Sequence, residues 1–198
     1  MTKQHISFSE LKTWAECPYK HRLKYIDGIN GFTGNAFTAF GTAIHSVCEF
    51  IAKGELDPID YDEHFDLAFL CELKKLDEKP DNKMITDMRQ QGREISPSVF
   101  PQLKEHFGNY EVYSTEEMLY QTIDELNYKW HLKGFIDLVI KTEDGKYHIL
   151  DWKSCSWGWD AKKRSERLVT YQLTLYKKFF CEKHNIDPED VETHFGLL

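Results

Sequence analysis

Two textures follow one another along the chain. Up to about residue 108, apolar side chains recur at helical spacing. Beyond it they gather in short β-rich runs bounded by turn residues. The first helical run opens at Ser7-Phe8-Ser9-Glu10-Leu11, with Ser9 as the predicted cap and Leu11, Trp14 and Ala15 on one face. Pro18, after Cys17, starts a second helix with Tyr19, Leu23 and Ile26 on one side, and Asp27-Gly28 stops it. Residues 28–35 hold three glycines and read as a loop. The spacing predicts a helix over Phe37–Lys53, then helical pattern to Phe107 with breaks near Pro80, Pro97 and Pro101. From Tyr110 three strands are predicted, around Val112–Thr122, Tyr128–Ile140 and Tyr147–Trp152. Asn127 marks the first turn and Glu143-Asp144-Gly145 the second, Asp-Gly being a strong hairpin signal. A helix over Arg164–Lys183 and a strand over Val191–Leu198 follow. The expected class is α/β: a central mixed sheet flanked by helices, with an N-terminal helical part.

Composition narrows this. A length of 198 residues suits one domain, 1–198, with a mainly helical part over 1–108 and a sheet-and-helix core over 109–198. No run of apolar residues is long enough to span a membrane, and the first five residues lack an apolar signal core. Five cysteines, odd in number and scattered, suit reduced thiols and a cytoplasmic location. They offer no zinc-site spacing. No phosphate-cradling glycine loop and no Gly-x-Ser-x-Gly elbow occurs. The net charge of −8 excludes a globally basic nucleic-acid binder but not a local basic patch. One such patch exists. Residues 161–183 carry a net +5 from Lys162, Lys163, Arg164, Arg167, Lys177, Lys178 and Lys183 against Glu166 and Glu182. Trp157 and Trp159 lie just upstream, and cations with aromatics suit a phosphate backbone and stacked bases. A solvated basic helix with two core tryptophans is the plainer account of the same residues. The five acids over Asp57–Asp66 read as a solvated face.

The hairpin holds the candidate chemistry. Alternation places Phe135, Asp137 and Val139 on one face of a strand, and Gly134, Ile136, Leu138 and Ile140 on the other. Asp137 is then a carboxylate among apolar neighbours, where an unpaired charge is costly. Asp151 ends the partner strand and Lys153 points to the same side. The turn lets Asp137 and Asp151 meet at one end of the sheet. Two such carboxylates repel unless a cation lies between them, and oxygen ligands suit Mg²⁺ or Mn²⁺. A surface Asp-Lys pair is the bland alternative. Separately, His45 and Glu49 are one turn apart on the helix after Gly41, as are Gln172 and Tyr176 on the late helix.

Taken in order, these segments resemble the PD-(D/E)XK nuclease superfamily, in its RecB-type exonuclease branch. The matching residues are Gly41-Thr-Ala-Ile-His45 with Glu49, Gly134-Phe-Ile-Asp137, Asp151-Trp-Lys153 and Gln172-Leu-Thr-Leu-Tyr176, with an opening Ser7-Phe-Ser9 and Cys17-Pro-Tyr-Lys20. The resemblance runs from about residue 6 to 180. It implies a metal-dependent DNA nuclease, an exonuclease, of bacterial or phage DNA replication, recombination or repair. By that carry-over His45, Asp137, Asp151 and the Trp152 carbonyl hold Mg²⁺ or Mn²⁺. Lys153 is catalytic beside Asp137, Asp151 and Glu49, and Gln172 and Tyr176 support the site or touch DNA. Relatives such as the CRISPR-associated adaptation nucleases hold a four-cysteine iron–sulfur cluster. Cys17 matches its first ligand, but the late cysteine trio is missing, so no cluster is expected. The implied partner is DNA, with a helicase or recombination protein as a further partner and no membrane. The rival readings are a non-catalytic nucleic-acid-binding scaffold, an RNA nuclease, and a nuclease module of a helicase complex. Retention of His45, Asp137, Asp151 and Lys153 argues against the scaffold.

Overall fold

A computed structural model describes residues 4–29, 31, 34–124, 130–155, 158–164 and 166–198. The predicted turn at Asn127 and the predicted stacking residue Trp157 lie outside the described residues. A short strand β1 (His5–Ser7) leads into α1 (Phe8–Glu16) and α2 (Pro18–His21), and α2 runs on into a π-helical turn. Ser7, not Ser9, caps α1, accepting a hydrogen bond from the Glu10 amide at 3.2 Å. The cap lies two residues earlier because the strand hands its last residue directly to the helix. Cys17 Sγ caps α2 ahead of Pro18.

Then come α3 (Ala36–Ala52), α4 (Tyr61–Leu73), α5 (Asn82–Ile95) and α6 (Val99–Phe107). Asn35 and Thr38 form a reciprocal capping box at the start of α3. Pro101 sits inside the first turn of α6, where its missing N–H has no helical partner to lose, so it does not break the helix as the sequence suggested. The strands are β2 (Tyr110–Thr122), β3 (His131–Thr142) and β4 (Tyr147–Lys153). Short α7 (Ala161–Arg164) and long α8 (Arg167–His184) precede β5 (Val191–Leu197).

All five strands form one mixed sheet. β2 pairs antiparallel along the whole of β3, with a register shift between Val112 and Ser114. The other edge of β3 is shared. β1 pairs with it in parallel over His131–Lys133, and β4 pairs antiparallel over Leu138–Lys141. Gly134 to Asp137 therefore face a gap between two neighbours. β5 closes the far side, parallel to β4 along its full length. The parallel strand β1 was not foreseen, since three residues are too few for a periodic signal.

The core has three parts. Phe179 and Phe180 of α8 pack on one sheet face against Ile136, Val139 and Ile149. Val99 and Leu103 of α6 pack on the other against Leu138, Ile140, Leu150 and Trp152. α3, α4 and α5 make a helical cluster around Phe40, Phe65 and Phe69. Strict alternation in β3 fails at Asp137, because Ile136 and Val139 share one cluster while Leu138 and Ile140 share the other. The change of side falls where the gap opens.

Candidate active site

The gap organises the site. The β3–β4 ladder ends at Leu138 and Leu150, so β4 beyond it has β3 no longer alongside. The freed N–H of Trp152 is taken by Asp137, whose Oδ2 accepts it at 2.6 Å. This hydrogen bond fixes the Asp137 carboxylate at the mouth of the gap. The hairpin register that pairs Leu138 with Leu150 puts Asp137 and Asp151 at the next opposed positions, as the turn predicted.

His45 comes from α3, with Nδ1 3.6 Å from Asp137 Oδ2. Gly41 lets the helix come this near: a Cβ there would lie 3.1 Å from Ser154 Oγ, just beyond β4. Burial alone would depress the His45 imidazole, but the Asp137 carboxylate beside it and the charge of Asp151 outweigh it and hold its pKa above the usual value.

Asp151 is the most deeply placed charge, 2 % exposed. Gln172 Nε2 of α8 donates to its Oδ1 at 2.7 Å and to the Tyr176 hydroxyl at 3.2 Å, using both amide hydrogens. Lys153 Nζ forms an ion pair with Oδ2. That oxygen is buried and lacks any hydrogen bond of good geometry. Burial pushes the Asp151 carboxyl up to about 6, with Lys153 opposing and Asp137 adding to the rise. Burial likewise pushes the Tyr176 phenol up to about 12.

Sequence reasoning missed Glu116. It lies on β2 between the paired positions Thr115–Leu138 and Glu117–Ile136, hence across from Asp137. Its φ of 46° is left-handed, which costs a non-glycine residue on the order of 1–3 kcal/mol and collects at functional sites. Burial raises its pKa, and Asp137 and Glu49 add to the rise. The signal was available in the Glu116-Glu117 pair, which breaks alternation inside a strand pattern. Glu117 turns to Lys183 and His184 instead. Glu49 forms an ion pair with Lys53 on the same helix.

The basic segment divides. A cleft of about 510 Å³ next to Lys153 is lined by Lys12, Lys163 and Gln172, among others. Lys162 is exposed on α7 and Arg167 opens α8. Arg164 Nε donates to the Trp159 carbonyl at 2.9 Å. Lys183 is bound to Glu117, and Lys177 and Lys178 line a separate cavity. The expectation that Trp159 stacks on a base is corrected. The residue is 8 % exposed, and its ring packs on Phe195 with centroids 4.9 Å apart and is covered by Lys163, because the chain folds it back onto β5.

The mixed sheet splits beside its central strand, and an acidic pair, a lysine two residues on and a helical histidine gather there. Residues 5–193 match the family model of the PD-(D/E)XK nuclease superfamily, and the chain belongs to it. The superfamily is one of nucleases that generally depend on divalent metal. No curated protein matches the chain. The donor set fits such an ion, since Asp151 Oδ2 is a buried carboxylate oxygen whose charge is met by the Lys153 ammonium alone, and Asp137 and His45 stand close by. Among the described residues no helix is long and apolar enough to cross a membrane.

Proposed function

We propose that the chain is a deoxyribonuclease dependent on Mg²⁺ or Mn²⁺, of the RecB-type exonuclease branch, acting in DNA replication, recombination or repair. The observation that carries this is the convergence of α3, β3 and β4 on one gap in the sheet, where His45, Asp137, Asp151 and Lys153 meet. His45, Asp137 and Asp151 would hold the ion, with the Trp152 carbonyl beside them and Glu116 facing them from β2. A divalent ion there supplies Lewis-acid polarisation of a phosphoryl oxygen and a more acidic water.

The chain's own residues do the rest. The Trp152 amide and the Gln172 amide hold the two carboxylates in place, and Tyr176 holds Gln172. Lys153 carries its ammonium next to Asp151, where it orients the attacking water and balances charge gathering on the phosphate. Lys163 and Lys12, in the cleft that adjoins Lys153, steer the phosphate backbone towards an otherwise acidic molecule. Lys162, Arg164 and Arg167 extend that track along α7 and into α8.

The test is cleavage of end-labelled linear and closed-circular DNA, with and without Mg²⁺, Mn²⁺ and chelator. The expected result is degradation of the linear form from its ends, dependent on metal and absent in Asp137→Asn. Equal activity in chelator, or in that variant, overturns the proposal. Cleavage of RNA in preference to DNA gives the site to the rival substrate.

A further inference from the structure

On the sheet face that carries α6, three metal-ligating side chains meet that have no part in the site above. β4 and β5 run parallel with His148 opposite Glu192 and Leu150 opposite His194. Side chains alternate along a strand, so His148, Glu192 and His194 leave the sheet on one face. Their ligating atoms all lie within 4.8 Å of one another. His148 Nδ1 is 3.1 Å from His194 Nε2 and 3.8 Å from Glu192 Oε2. These two separations bracket ~3.3 Å, the edge of a tetrahedron built on metal–ligand bonds of about 2.0–2.2 Å.

The proton positions follow from the neighbours. His148 Nε2 is 3.1 Å from Thr142 Oγ1. The Thr142 hydroxyl has one hydrogen, and its other partners, Asp144 Oδ1 and the Lys146 carbonyl, are both acceptors. Towards His148 it therefore accepts, which puts the hydrogen on Nε2 and leaves the Nδ1 lone pair aimed at His194 and Glu192. A neighbour that fixes the tautomer of an imidazole is what metal-binding histidines use. Burial lowers the pKa of both imidazoles; with no metal, His194 Nε2–H donates to His148 Nδ1, and an ion would take the place of that shared proton as His194 moves its hydrogen to Nδ1. Glu192 gives its Oε1 to Lys146 at 2.7 Å and turns Oε2 inward. His106 of α6 stands near, its ring centroid 6.4 Å from that of His194, and both line a cavity of about 410 Å³ that gives access.

We propose that His148 Nδ1, His194 Nε2 and Glu192 Oε2 form a second metal site for a zinc-class transition-metal ion, its fourth position facing the cavity beside His106. Two imidazoles and one carboxylate suit Zn²⁺ or Co²⁺ rather than Mg²⁺. The ion would clip β5, which among the described residues is an outer strand paired only with β4, to the middle of the sheet.

The experiment uses the full chain stripped of metal, in an Asp151→Asn background that cripples the gap site. Zn²⁺ binding is followed by calorimetry, and Co²⁺ binding by its visible absorption. The expected result is one tight equivalent per chain, a four-coordinate Co²⁺ spectrum, and a melting temperature that rises with Zn²⁺. Adding Glu192→Gln, a change at an exposed side chain, should weaken binding at least tenfold with the metal-free melting temperature unchanged. Adding His194→Asn should abolish the Co²⁺ spectrum. Absence of the tight equivalent in the Asp151→Asn chain overturns the proposal, as does undiminished binding in the Glu192→Gln and His194→Asn chains.

Discussion

Two buried carboxylates, Asp66 in the helical part and Asp151 in the sheet, meet opposite fates. Asp66 on α4 is 9 % exposed and is gripped from α5: Arg89 Nε donates to its Oδ1 at 3.0 Å, and Arg89 and Arg93 both bind Oδ2. Hydrogen bonding to Arg89, against the opposing effect of burial, holds its pKa below the usual carboxylate range. Asp151 is buried more deeply, and although the Lys153 ammonium lies against its Oδ2 its pKa stands well above that range. The fold completes the first carboxylate from within. It gives the second a single ammonium, from Lys153, where Asp66 has two guanidiniums, and burial outweighs it. Burial of charge is common to both, and the supply of partners separates structure from function.

The comparison is broken hardest at Lys153. Lys153→Ala should reduce DNA cleavage by about 10²–10⁴-fold, the range for a lost proton-handling or charge-stabilising group, with DNA binding and melting temperature nearly intact. If turnover in this variant stays close to wild type, Lys153 is only the counter-ion of Asp151. The neutral isosteres come next. Asp66→Asn should lower stability by about 1–3 kcal/mol in urea titrations, the cost of losing hydrogen bonds to charged groups. Asp151→Asn in metal-free buffer should leave stability unchanged or raise it, because it removes an ionised group that burial disfavours. The same sign for both variants would end the distinction.

A pH series sharpens it further. The folded pKa of Asp66 is depressed, so its contribution to stability is present above the unfolded value of about 3.9 and is lost as pH falls through the lower folded value. The melting-temperature difference between wild type and Asp66→Asn should therefore be full at neutral pH and shrink below about pH 4. A difference that does not change with pH would mean that packing, not charge, holds α4 to α5.

Much of this was legible in the sequence. Helix α3, strands β2 to β4 and helix α8 stand within a few residues of where the sequence pattern placed them. His45, Asp137, Asp151 and Lys153 were found as motif residues and do converge. What escaped depends on tertiary geometry. The gap beside Gly134–Asp137 arises because β1 and β4 share one edge of β3, and no local pattern encodes which strands share an edge. Glu116 needed a left-handed residue opposite Asp137. Trp159 looked like an exposed aromatic because its packing partner, Phe195, lies 36 positions along the chain. The His148–His194 pair is likewise a product of strand register.

The smallest expected effect concerns how the sheet side of the comparison is held. Gly134 lies under Tyr176, and a Cβ there would come within 2.9 Å of the Tyr176 ring. That ring is buried, so it has little room to retreat. Gly134→Ala should push it aside by a few tenths of an ångström, at an overpacking cost of about 1–3 kcal/mol. The Tyr176 hydroxyl moves with the ring, and with it the Gln172 amide that donates to Asp151. Since a 1 Å misplacement costs about 10²-fold, this smaller shift should reduce kcat by up to ~10-fold while KM for DNA stays put. Tyr176→Phe removes the hydroxyl without crowding the gap and should lower kcat to a similar extent. If steering of Gln172 is the shared cause, the double variant should lose no more activity than the worse single one. Losses that multiply would show that Gly134 and Tyr176 act independently, and that Gly134→Ala does not work through Gln172.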